Sequence, residues 1–215
     1  AARETVVAAL ASSDKDVKVA AAKALGTVGN EADVPALAAL LGSGDADLAA
    51  AARLALGNVD NKGFDDAIAT AVAGTSGAAR AGLVELLSDR MAPKAAQTAL
   101  TALSDGDPAV RTAALHYLTK LGGAAEAPAV IEVLKKSADA SERTEASNAL
   151  NAICSMNGDA VLPVVLDSMK GANVETRGAL LRGLGVIGSA KALEPVVAAL
   201  HDKNADISGV AVRVL

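Results

Sequence analysis

Aromatic side chains are almost missing from this chain: 215 residues include one Phe, one Tyr and no Trp. That scarcity leaves little bulk to fill a deep globular interior and almost nothing on which a nucleobase could stack. Cysteine occurs once, at Cys154, so there is no internal disulfide and no cysteine spacing suited to a metal. The two histidines, His116 and His201, stand 85 positions apart with no second His or Cys near either. Zinc or iron needs several converging ligands, so no metal or other cofactor is expected. A basic surplus is also lacking. The net charge is −5 and the pI near 5.1, whereas a nucleic-acid binder carries a basic face, so no nucleic acid is expected as partner. No run of about 18 apolar residues free of charge appears, and no membrane span is expected.

What the chain has instead is small aliphatic residues and a period. The apolar fraction is 52%, mostly Ala, Leu and Val, a composition that favours helix and lets helices approach closely. A short polar residue precedes an apolar helical pattern seven times: Asp14, Asp45, Ser76, Asp107, Asp139, Asn173 and Asn204. The gaps are 31, 31, 31, 32, 34 and 31 residues. Each reads as an N-cap, a residue that supplies an acceptor to the free amides at a helix start. A period of this length predicts a solenoid of stacked units.

Within a unit the first helix, A, shows apolar or small residues at i, i+3, i+4, i+7, i+8 and i+11. Examples are Val17, Ala20, Ala21, Ala24, Leu25 and Val28, and again Val110, Ala113, Ala114, Tyr117, Leu118 and Leu121. A Gly-rich turn follows, then a shorter helix B that often opens near a proline: Pro35, Pro93, Pro128, Pro163 and Pro195. The units are drawn at 14–44, 45–75, 76–106, 107–138, 139–172 and 173–203, with half-units at 1–13 and 204–215. They form one array over 1–215, expected to be a segment of a longer chain. Gly183-Leu-Gly-Val-Ile-Gly188 lacks a preceding strand and is read as packing and turn residues, not a phosphate loop.

The strings Asp14-Lys-Asp-Val-Lys-Val-Ala-Ala-Ala-Lys-Ala-Leu-Gly-Thr-Val-Gly29 and Asp107-Pro-Ala-Val-Arg-Thr-Ala-Ala-Leu-His-Tyr-Leu118 resemble HEAT repeats. They are most similar to the short bacterial type also found in phycobilin lyases. The resemblance covers essentially the whole chain. It implies an all-α fold, a right-handed α-α superhelix with A helices outside and B helices lining a concave face. Three positions depart from the pattern: Arg90 stands where other units have Val28 or Leu121, and Glu142 and Glu145 replace apolar or small residues.

Lys18, Arg80, Arg111, Arg143 and Arg177 recur one place after the first apolar position of helix A. By the resemblance, such residues pair with acids near helix starts and tie units together. Cations there oppose the helix dipole, so an acidic partner is physically sensible. The carboxylates at hand are Asp16, Asp47, Glu142, Glu175 and Asp206. An anion-binding stripe is the competing reading. On the B helices, the resemblance places Thr70, Thr101, Glu132, Lys135, Asp167 and Lys170 on the binding face, neutral in the first half and charged in the second. Cys154 has no visible base to activate it and reads as a buried small hydrophobe.

These features predict a non-enzymatic module. It binds a protein partner or spaces flanking domains of its parent chain; oligomeric state is not specified by the residues. The alternative is an accessory segment of a large exported bacterial enzyme whose sugar-binding or hydrolase-like domain lies elsewhere, which would favour an exported location over the cytoplasm. A catalytic solenoid, bilin-lyase-like or DNA-glycosylase-like, is disfavoured by the acidic charge and the missing aromatics.

Overall fold

The computed structural model describes residues 2–59 and 63–215, and helices are the only regular elements among them. They run α1 (Ala2–Ala9), α2 (Lys15–Val28), α3 (Val34–Leu41), α4 (Ala46–Asn58), α5 (Phe64–Ala73), α6 (Gly77–Asp89) and α7 (Ala96–Ala102). The remainder are α8 (Pro108–Leu121), α9 (Ala127–Lys136), α10 (Ala140–Asn157), α11 (Leu162–Ser168), α12 (Val174–Ile187), α13 (Ala190–Ala199) and α14 (Ala205–Val214). The chain packs as two units, Ala1–Tyr117 and Leu118–Leu215.

Each long A helix starts where the period places it. Asp14, Asp45, Asp107, Asp139, Asn173 and Asn204 accept hydrogen bonds from first-turn amides with their side chains. Ser76 occupies the same extended position but makes no capping hydrogen bond. Pro35, Pro128 and Pro163 sit in the first turn of α3, α9 and α11, where no amide donor is needed. Pro195 differs: it lies inside α13, which begins at Ala190 under a Ser189 cap. The Ser189 hydroxyl accepts the Ala192 amide, so this helix starts earlier than its proline suggests.

In the first unit α2 lies along α4, and α4 along α6. The α2–α4 seam is built from Ala22, Ala51, Ala52 and Ala55, all buried. At Gly26 a Cβ would stand 3.1 Å from the Ala55 Cα, so the backbones approach as closely as an absent side chain permits. On the flank of α2 away from this seam, Val17 and Val28 remain 41% and 43% exposed. In the second unit α10 packs on α12 and α12 on α14.

Three of the shorter helices pack most closely on the A helix that follows, α3 against α4, α5 against α6 and α9 against α10, whereas α13 packs more on the preceding α12. The tightest hairpins therefore close across the capped turn, so unit boundaries drawn at the caps fall at hairpin tips. Phe64, Ile68, Leu83 and Tyr117 are fully buried in the first unit, and Leu118, Ile131, Leu150 and Val165 in the second. The Tyr117 hydroxyl donates to the Ala92 carbonyl at 2.7 Å.

Arg90, the polar departure from the repeat, is accommodated by contacts instead of burial in the aliphatic seam. Its guanidinium lies 5.3 Å from the centre of the Phe64 ring and pairs with Asp65 at 2.5 Å. It also donates to the carbonyls of Leu56 and Gly57 at the end of α4, satisfying acceptors that a helix terminus leaves open.

Gly122, after α8, is closely enclosed by backbone and side chain in the second unit. A Cβ there would lie 2.5 Å from the Leu118 carbonyl oxygen and 2.8 Å from Ile153. Gly122→Ala is expected to destabilise the protein by roughly 1–3 kcal/mol through overpacking, read as a lower urea midpoint. An unchanged midpoint would show that this turn is looser than described.

Candidate functional site

The capped turn is more than one hydrogen bond. In five turns the residue two places before the cap accepts the cap's own amide: Ser12, Ser43, Asp105, Ser137 and Asp202. Where that residue is aspartate, the basic residue of the preceding A helix reaches it. Arg80 Nη1 pairs with Asp105 and its Nε donates to the Val72 carbonyl at 3.1 Å. Arg177 pairs with Asp202 at 2.5 Å. Arg111 donates to the carbonyls of Asp105 and Gly106. Arg143 donates to the Ser137 carbonyl, and its Nε lies 3.0 Å from Glu175. Of the carboxylates named from the sequence, Glu175 meets this basic series. At the first repeat it is Lys15, not Lys18, that pairs with Asp45 and Asp47. The Ser or Asp two places before five of the seven caps was readable in the sequence as a second periodic polar position.

The six B-helix candidates divide between the two units. In the first, Thr70 and Thr101 are exposed, with hydroxyls turned back to the carbonyls of Asp66 and Gln97. Thr101 lines a cavity of about 330 Å³ between α5 and α7, walled by Ala69, Val72, Ala73, Gln97 and Thr98, with the Arg80–Asp105 pair at one end. Thr70 is not on its wall. In the second unit the charged candidates pair along their own helices. Glu132 meets Lys135 and Lys136 at 3.3 and 3.0 Å, and Asp167 meets Lys170 at 3.0 Å. Exposed pairs of this kind contribute little to stability.

Other reactive groups are placed conservatively. Cys154 is buried, and burial pushes its thiol up to about 11. Gly183 packs against its sulfur, and Gly188 ends α12 in the left-handed conformation at φ 67°. His116 Nδ1 sits 2.7 Å from Glu85, and His201 is exposed. Among the described residues no group of His, Cys, Asp and Glu could hold a metal ion, and no single helix is long and apolar enough to cross a membrane. Sequence reasoning gave no hint of a cavity of about 310 Å³ in the second unit, between α10 and α12.

The family described as HEAT repeats matches residues 1–59 and 64–151, more than half of the chain. No curated protein matches it. Among solved structures, an engineered protein is similar with a TM-score of 0.53 and 20% identity, over 99% of this chain and 67% of its own. YibA of E. coli is similar with a TM-score of 0.51 and 17% identity, over 96% of this chain and 79% of its own. The complex of CpcE and CpcF of phycocyanin lyase from Nostoc is a looser likeness, at 0.41 and 22%, over 99% and 75%. At these identities the likenesses speak to the fold alone.

Two outcomes follow from the turn and from the thiol. The Asp107 amide and then Arg80 hold the Asp105 carboxyl below the usual carboxylate range, as Asn204 and Arg177 do for Asp202. A lowered native pKa means the unfolded chain takes up protons first as pH falls. Stability is then fully present above about pH 4 and declines below it, through the lowered native values. Asp105→Asn is expected to lower the melting temperature at pH 7, with the gap to the parent protein narrowing towards pH 2. A gap that is constant with pH would remove this carboxylate from the account. The Cys154 thiol is expected to resist a chromogenic disulfide reagent at pH 8 until denaturant is added; immediate stoichiometric reaction would contradict its burial.

Proposed function

Because the chain belongs to the HEAT repeats family, we propose that it is a non-enzymatic protein-interaction scaffold, with its binding surface on the shorter helices. The observation that carries this reading is the cavity of about 330 Å³ between α5 and α7. It lies at the surface where the repeat pattern puts Thr101, its wall joins the buried Val72 and Ala102 to the polar Gln97, Thr98 and Thr101, and the Arg80–Asp105 pair anchors one end. An apolar floor with a few polar groups suits a short peptide segment more than a charged polymer. The pairing of Glu132 with Lys135 and of Asp167 with Lys170 leaves those positions close to neutral, which supports a surface chosen for shape more than for charge. Nothing in this reading uses catalysis: Cys154 is buried with a raised pKa, and His116 is engaged by Glu85. Flanking domains of a longer chain are as good a source of the bound segment as a separate protein.

Selection of a displayed peptide library on the immobilised protein tests this. Enriched peptides are expected to lose at least about tenfold in affinity, ~1.4 kcal/mol, against Thr101→Arg or Ala69→Arg. If no peptide is enriched, or enriched peptides ignore both substitutions, the groove is not a binding surface and a spacer role is what remains. Turnover of a bilin or release of a base from alkylated DNA by the purified chain would overturn the non-enzymatic assignment.

A further inference from the structure

In the seam between α10 and α12 two positions are polar together. The position eight after the cap is apolar in five helices, Ala22, Val84, Leu115, Leu181 and Val212, but Arg53 in α4 and Ser147 in α10. The position twelve after the cap is Gly26, Gly57 and Gly185 in three helices, and Ser88, Thr119 and, in α10, Asn151 in the others. Polar groups therefore stand where small aliphatic contacts would close the seam, and a cavity of about 310 Å³ opens between the helices. Ser147 is more than nine-tenths buried and lines this cavity with Thr144, Asn148, Asn151 and Arg182.

Buried polar groups in a folded chain are normally hydrogen-bonded. Asn151 is not: its buried Oδ1 has no partner. Ser147 receives only a long contact, 3.4 Å from Arg182 Nη2. Arg143, at the rim, already faces Glu175 at 3.0 Å. That leaves Arg182 as the lining cation with no carboxylate, and the field of Arg213 on α14 acts on it as a like charge. The site thus offers one unspent guanidinium fork at Arg182 and an open carboxamide acceptor at Asn151, while Asn148 makes a long contact to Glu145 at 3.5 Å.

We propose that the α10–α12 seam is a carboxylate-binding notch that seats a glutamate or aspartate side chain of a partner peptide, with Arg182 as its principal ligand. A carboxylate matches the planar guanidinium in a two-bond fork. Glu175 at the rim disfavours a doubly charged phosphate, while the Asn148 and Asn151 carboxamides suit the N–H and C=O that flank an acidic side chain in a peptide. This deepens the interaction reading and rests on it, but the notch lies in the second unit, apart from the α5–α7 groove.

The test is a titration of the full chain with N-acetylglutamate N-methylamide, followed by NMR of the Asn carboxamide and Arg Nε–H signals. Saturable shifts are expected at Asn148, Asn151 and Arg182, with the uncharged glutamine analogue about tenfold weaker or more. Arg182→Gln is expected to lose about tenfold in affinity without a change in melting temperature, because its one intramolecular hydrogen bond is long and the residue is exposed. Asn151→Leu is expected to lose binding while melting no lower than the parent, an outcome that a merely structural asparagine would not give. No saturable shift, equal binding of the glutamine analogue, or tighter binding of inorganic phosphate would each overturn the proposal. The titration reads the notch alone, so its failure is distinct from failure of the groove selection.

Discussion

The free amides at the start of each long helix set the terms for the rest of this structure. Four donors per helix need acceptors, and the chain meets the need with one short device repeated along its length. An Asp or Asn side chain takes first-turn amides, and in most turns a Ser or Asp two places earlier takes the amide of the cap itself. The turn is thereby fixed in geometry, and the helices on either side fold back as a close hairpin. Its second role follows from chemistry. An aspartate in the earlier position is a charge as well as an acceptor, and the arginine of the preceding long helix reaches for it at Asp105 and Asp202. The same polar turn therefore joins helix to helix within a hairpin and hairpin to hairpin within a unit.

Much of this was legible beforehand because caps and aliphatic spacing are local signals. The seven cap positions and the long helices that follow them come directly from side-chain chemistry within a few residues. The phase of the hairpin did not: sequence shows that α3 and α4 alternate, but not that α3 lies closer to the helix after it than to the one before. The partners of the basic series were also only partly visible. Glu175 is near in sequence terms to a helix start, whereas Asp105 and Asp202 belong to turns, about 25 residues beyond Arg80 and Arg177. Pro195 misled because proline is tolerated inside α13 as well as at a helix start. Arg90 stood out as an exception, but its answer, the Phe64 ring and the end of α4, depends on tertiary placement.

Of the candidate surface, the repeat identified positions and could not rank them. Thr70 and Thr101 are equivalent by register, yet Thr101 lines the α5–α7 cavity and Thr70 does not, because cavity depth depends on how two helices splay. The charged candidates looked like binding groups in one dimension and turn out to be engaged along their own helices. The most polar interior of the chain, on α10, was hidden for a related reason. Ser147 and Asn151 are unremarkable residues in a helix, and they matter only because together they line one cavity between α10 and α12.

The dependence of each helix on its immediate neighbours has a consequence for how the protein is assembled and lost. With the principal contacts among the described residues made between elements close in sequence, the entropy of loop closure is small, and ordering is able to begin at several places and spread. A lesion in one hairpin is then felt chiefly by those beside it. Cooperativity decays along the array, and the chain yields to heat or pulling in stages, not as a single block.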